Sequence, residues 1–360
     1  MARSLDLTRR HFLLASGAAI GASMLPIAQG RAAVDQLTWS VWESNGDPAY
    51  SKAFEQETGI DISRAYMTSN DAQFAALRTG AASDWDIVNP SISEMHQYRA
   101  ADLLQPLDLS KIPNTEHMYP VFKNMEVNVG SDGETYGIPY LWGANPIVYR
   151  SDKIDEEPDY GSLFDERYAG QISIRDYPLE AVAIGGIYVG VPREELFSMS
   201  SEQLAEVKKA LVAQKKLVRS YWQSIGDLTN QFATGEVSLA FSWRAPYDAL
   251  KDEMAIQMAR PKPGVFGWCD CFALPTHTTG EARAAAYEFA NYLLGPEYAT
   301  PAAKDGNYAS TTDVIRDELS EARRKELFID DLDVMDSFIW PMKPSNYAEW
   351  LKLWTEVKAS

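Results

Sequence analysis

Residues 37–91 decide the fold. LTWSVWES (37–44) alternates apolar and polar residues and carries two tryptophans, which predicts a strand. SKAFEQETG (51–59) predicts a helix stopped by Gly59. IDISRAYM (60–67) predicts a second strand, NDAQFAALRTG (70–80) a helix running from an Asn or Asp cap to Gly80, and DWDIVNPS (84–91) a third strand. The order β-α-β-α-β within about fifty residues is the pattern of a doubly wound α/β domain. Ligands of such sheets sit at the carboxyl ends of the strands, here residues 40–43 and 90–94.

Working outward, TYGIPYLWGANPIVYR (135–150) predicts one or two strands with Pro and Gly at the bends. A second α/β region follows. GQISIRDY (170–177) predicts a strand, PLEAVAIGGIYVG (178–190) a helix that Asp176 would cap, and SSEQLAEVKKALVAQKKLV (200–218) a long amphipathic helix. EVSLAFSW (236–243) and FGWCDCFALP (266–275) predict strands, and GEARAAAYEFANYLL (280–294) a helix. No internal repeat, low-complexity tract or Gly/Ser linker separates the halves. Two α/β lobes joined by strand-like crossings imply a hinge.

The 360 residues are enough for two domains of ordinary size, and 46% hydrophobic content permits a large core. Ten Trp and eighteen Tyr suit clefts as well as cores, because each ring joins an apolar body to a polar handle. The net charge of −18 argues against nucleic acid as a partner. At the start, LTRRHFLLASGAAIGASMLPIAQGRAA (7–33) places Arg9 and Arg10 before a mild apolar run and then small residues. This predicts a twin-arginine export signal, residues 1–33, cleaved near Ala32 or Ala33. No later segment reaches the ~20 apolar residues of a membrane span.

Cys269 and Cys271, the only cysteines, flank Asp270. On a strand, side chains alternate, so Trp268 and Asp270 share one face and the thiols the other. Residues i and i+2 lie ~6–7 Å apart, near or beyond the reach of a relaxed disulfide. The four His show no metal-ligand spacing. The thiols therefore read as small buried apolar groups. An indole face beside a carboxylate suits an amine; a core Trp beside a strand-end Asp reads equally well from these residues alone.

The whole stretch from about residue 37 to about residue 355 resembles the periplasmic solute-binding proteins of ABC transporters, in the group that binds putrescine and spermidine. LTWSVW, YMTSNDAQFAALRTG, DIVNPS, LLQPLDLSKIPN (103–114), YGIPYLWG (136–143), YAGQISIRD, GEVSLAFSW, GVFGWCDCFALP and FANYLLGPEYA (289–299) keep the family's order. LLQPLDLSKIPN and IPYLWG are the most specific. The resemblance implies the type II two-lobed α/β fold, each lobe discontinuous, with a ligand cleft between them that closes by hinge motion. It implies lobe 1 as 34–141 with 271–311 and lobe 2 as 142–270 with 312–360. The crossings are expected near 140–143, near 270–273 and after about Ser310.

As the resemblance implies, the ligand-binding residues are Trp39, Ser40 and Trp42 in the first-strand loop, Ser91, Glu180, Trp243, Trp268, Asp270 and Tyr308. Glu180 also reads as a first-turn acid favoured by the helix dipole. No catalytic residue, cofactor or metal is implied. The expected partners are a small amine and the permease of the inner membrane, with a monomeric protein in the periplasm. Departures from the family pattern bear on the ligand. Tyr177 stands at one of its acidic positions, Val41 at another, and Arg244 follows Trp243 where a small polar residue is usual. Burying two to four ammonium charges needs matching carboxylates. A zwitterion such as 4-aminobutyrate, gripped by Arg244 or Arg175, is therefore the alternative ligand. Arg244 reads equally well as paired outward with Asp248 at i+4. No nucleophile elbow, phosphate loop or metal-ligand cluster points to an enzyme, and no Tyr-Tyr pair points to iron binding.

Overall fold

The three strands expected in the opening block form one parallel sheet. β1 (Gln36–Val41) lies between β2 (Asp61–Tyr66) and β3 (Ile87–Val88). The computed structural model describes residues 34–123, 125–330 and 335–360, so the expected export signal lies outside the described residues. Helices Pro48–Thr58 and Asn70–Thr79 make the crossovers. Asp47 and Ser69 cap their first turns, and Gly59 and Gly80 end them at φ 74° and 76°. The second cap is Ser69, one residue before the Asn or Asp expected, since its hydroxyl reaches the Ala72 N–H.

The predicted strand at 135–150 divides at Asn145-Pro146 into β4 (Ile138–Asn145) and β5 (Ile147–Arg150). Proline supplies no N–H to a ladder, and the chain changes sheets there. β5 enters a five-stranded mixed sheet with β6 (Ile172–Arg175), β7 (Val218–Trp222), β8 (Leu239–Phe241) and β9 (Ile256–Ala259), in the order β7-β6-β8-β5-β9. β4 pairs antiparallel with β10 (Phe266–Phe272) and with β11 (Ala309–Ser310). The expected helices appear as Pro178–Val189, Ser201–Lys215 and Gly280–Leu293. Asp176 does not cap the first of these, whose N-cap position is Tyr177. Its carboxylate instead binds Lys358, the Trp354 indole N–H and Gln223.

Two large cores flank the β4–β10 pair. The first holds Trp39, Ile87, Tyr140, Trp142, Cys269, Cys271 and Phe289; the second holds Ile147, Ile174, Leu179, Phe241, Phe266 and Trp354. The chain changes core between Ala144 and Ile147, near Phe266, and between Phe338 and Ile339. The last change comes later than Ser310. Ile315, Leu319, Leu327 and Phe338 still pack into the first core, and only then does the chain reach the final helix, Tyr347–Ala359, in the second. Backbone bonds tie these crossings together: Ile339 donates to Val265, Gly267 donates to Ile339, and Ser91 bridges Asp270.

Candidate functional site

Asp270 sits in β10 between the first-core residues Cys269 and Cys271, and it is 5% exposed. Asn45 Nδ2 donates to its Oδ2 at 2.7 Å. Asn45 is delivered by a tight turn in which the Asn45 and Gly46 amides both donate to the Trp42 carbonyl. Tyr298 Oη donates to the Asn45 carbonyl at 3.0 Å and fixes the turn. The Tyr140 phenol donates to Asn89 Oδ1 and lies 3.5 Å from Asn45 Nδ2. Among the described residues no Lys, Arg or His pairs with Asp270. Burial pushes its carboxyl up to about 7, against the pull of the Asn45 and Asn89 amides.

Trp268, two residues earlier, is half-buried. Its indole lies over Gly143, its cross-strand partner, where a Cβ would come within 2.6 Å of the ring. Gly143 therefore makes room for the indole. The Tyr308 ring meets it edge-on, with centroids 5.5 Å apart. The Ser91 hydroxyl lies 3.4 Å from the Cys269 carbonyl and 3.4 Å from the Ser93 hydroxyl. Trp268, Asp270, Ser91 and Tyr308 thus form one group. The ladder shifts register between Asp270 and Cys271, so simple alternation ends there. Both thiols are still fully buried and free, within the first core. No cluster of three or more His, Cys, Asp or Glu that could hold a metal occurs among the described residues.

Glu180 and Trp243 form a second group. Glu180, 3% exposed in the first turn of helix Pro178–Val189, accepts from Asn145 Nδ2 at 2.7 Å and pairs with Arg175 Nη1 at 3.1 Å. Arg175 also stacks on Trp243, 4.4 Å from the ring centroid, and on Tyr177 at 4.8 Å. Trp243 is 38% exposed, with its edge on Trp222. Arg244 is not free: Asp248 grips it twice, at 2.7 and 2.8 Å, and its Nη1 donates to the Glu326 carbonyl. The i+4 pairing satisfies it inside its own helix turn.

Three first-strand residues fall differently. The Trp39 ring is in the first core, packed edge-on against Phe289 and Tyr140. Ser40 is buried, its hydroxyl accepting from Gln73 Nε2 at 2.9 Å. Both lie within β1, whose two faces are covered. Trp42, past the strand end, is half-buried. Sequence reasoning missed Asn45 and Asn89, although each lies within two residues of a flagged strand end. It also missed Lys343, whose ammonium pairs with Asp71 at 2.8 Å and Glu94 at 3.1 Å. Nothing in the sequence links positions so far apart.

A spermidine/putrescine-binding periplasmic protein of Salmonella typhimurium is 26% identical over 327 residues, 89% of this chain and 90% of that one. The putrescine-binding periplasmic protein PotF of Escherichia coli is 25% identical over 303 residues, covering 78% and 80%. The crystal structure of the spermidine/putrescine ABC transporter substrate-binding protein PotD from Streptococcus pneumoniae superposes with a TM-score of 0.77 at 24% identity, over 90% of this chain and 99% of that one. The architecture is accordingly the two-lobed α/β fold of type II periplasmic binding proteins, as the sequence resemblance implied. Residues 49–326 match the bacterial extracellular solute-binding proteins, and the chain belongs to that family.

Proposed function

We propose that this protein is the substrate-binding component of an ABC importer, which captures a small cationic amine in the periplasm and delivers it to the membrane permease. The observation that carries the reading is Asp270, a buried carboxylate with no basic partner among the described residues, beside the Trp268 and Tyr308 rings. A buried anion of this kind is satisfied by a ligand cation, and an ammonium gains further from the indole face. The relatives named above for putrescine and spermidine support a polyamine as the ligand class. Twin-arginine export with removal of residues 1–33 brings the protein to that compartment. The lobes close about β4, β10 and the crossing at Phe338 and Ile339. Binding requires no bond to form or break.

One observation favours a second reading, a zwitterion such as 4-aminobutyrate. Glu180 already has its cation in Arg175, which is 26% exposed and stacked on Trp243. A ligand carboxylate reaching Arg175 would compete with Glu180, whereas a second ammonium would meet a positive charge. A thermal-shift panel of putrescine, spermidine, 4-aminobutyrate and butylamine tests both readings. A ligand at 100 times its dissociation constant adds ~2.7 kcal/mol to folded stability. A shift with at least one amine supports amine capture; no shift with any of them contradicts it.

A further inference from the structure

Three buried or near-buried carboxylates extend from β10 to helix Pro178–Val189, and they differ in what neutralises them. Asp270 has no basic partner among the described residues. Glu180 has Arg175. Glu94, 2% exposed, has Lys343, which also reaches Asp71. The segment between Asp270 and Glu94 is continuous. Ser91 bridges Asp270 through the backbone, its hydroxyl meets Ser93, Ser93 Oγ lies 3.5 Å from Glu94 Oε1, and the Lys343 backbone N–H donates to the Ser93 carbonyl. Lys343 lies 5.1 Å from the centroid of the Tyr347 ring.

An ammonium held by two carboxylates against an aromatic face is what a site for a ligand amine consists of. Here the chain supplies that ammonium itself. We propose that Lys343 is a specificity-determining residue: its tethered ammonium occupies the Asp71–Glu94–Tyr347 position and restricts the ligand to a single ammonium group, bound at Asp270. This rests on the reading of the protein as an amine-binding component and narrows its ligand away from the polyamines for which its relatives are named. The Lys343 side chain is 15% exposed, so solvent screens it little. A second ligand ammonium brought there would have to displace the Lys343 ammonium from Glu94, which it already pairs at 3.1 Å. The substrate class is then a monoamine or a zwitterionic amine, with a diamine disfavoured by its second charge.

The test compares wild type, Lys343→Met and Lys343→Arg by titration calorimetry at about pH 8, with putrescine and butylamine. Thermal scans check that each variant folds. Wild type and Lys343→Arg are expected to prefer butylamine. Lys343→Met, which keeps the stem and removes the charge, is expected to shift the putrescine-to-butylamine affinity ratio toward putrescine by at least about tenfold. An unchanged ratio in Lys343→Met, or a shift equally large in Lys343→Arg, overturns the assignment while leaving amine capture intact. If Lys343→Met does not fold, Lys343→Gln serves in its place under the same criteria. Binding of neither amine by any form would overturn amine capture and the assignment together.

Discussion

Glu180 and Asp270 are both buried carboxylates, but among the described residues only Glu180 has a cation beside it. Arg175 Nη1 stands 3.1 Å from Glu180, whereas Asp270 has the neutral Asn45 amide at 2.7 Å. Burial lifts the Asp270 carboxyl from its usual 3.8 to about 7, and the Asn45 amide pulls it back only in part. The folded protein holds this proton more tightly than the unfolded chain. The stability Asp270 contributes is therefore full below about pH 4 and falls as pH rises through about 7. The loss across that window is on the order of 4 kcal/mol for the ligand-free protein. Asp270→Asn is expected to remove it. Urea unfolding of both forms at about pH 5 and about pH 8 measures the difference; equal pH slopes would mean that the carboxylate is hydrated.

Arg175→Met leaves Glu180 buried without its counter-charge. Breaking a fully buried pair costs roughly 3–5 kcal/mol, and the partial exposure of Arg175 reduces this to about 2. Denaturation at neutral pH should show that loss, and Arg175→Lys should recover part of it. If a zwitterion is the ligand, Arg175→Met also removes binding of 4-aminobutyrate while sparing butylamine.

Gly143→Ala adds a methyl where the Trp268 ring lies at 2.6 Å. The indole must swing away, which costs about 1–3 kcal/mol of stability by overpacking. Amine affinity should fall with it, and tryptophan fluorescence should report the displaced ring. Unchanged affinity with a shifted emission would take Trp268 out of the site.

Cys269→Ser with Cys271→Ser places two hydroxyls in the first core. Burial pushes the Cys269 thiol up, so that thiol is uncharged at neutral pH. The double variant should lose about 1–3 kcal/mol per hydroxyl left without a partner and keep its amine affinity. Loss of the ligand response in a folded double variant would bring the thiols into the site.

Much of this was legible in the sequence because it depends on local pattern. The first sheet followed from apolar alternation and two helix-stopping glycines, and the grouping of Trp268 with Asp270 followed from strand period. What failed was long-range or broke the period. The register shift after Asp270 has no signature in WCDC itself. Trp39 went into the core because both faces of β1 are covered. Arg244 chose Asp248, as its spacing allowed, and Arg175 chose Glu180. Asn45 reaches Asp270 and Lys343 reaches Glu94 across 225 and 249 positions of chain. Such pairs arise from the crossings, and no local pattern encodes them.

The most direct measurement is amine affinity by calorimetry for wild type and Asp270→Asn, in buffers of differing ionisation enthalpy at about pH 6. An ammonium binds the ionised carboxylate, so wild type is predicted to release close to one proton per amine bound. Asp270→Asn is predicted to release none and to bind at least about tenfold more weakly. Equal affinity and equal proton release in the two forms would contradict the pairing of ligand with Asp270.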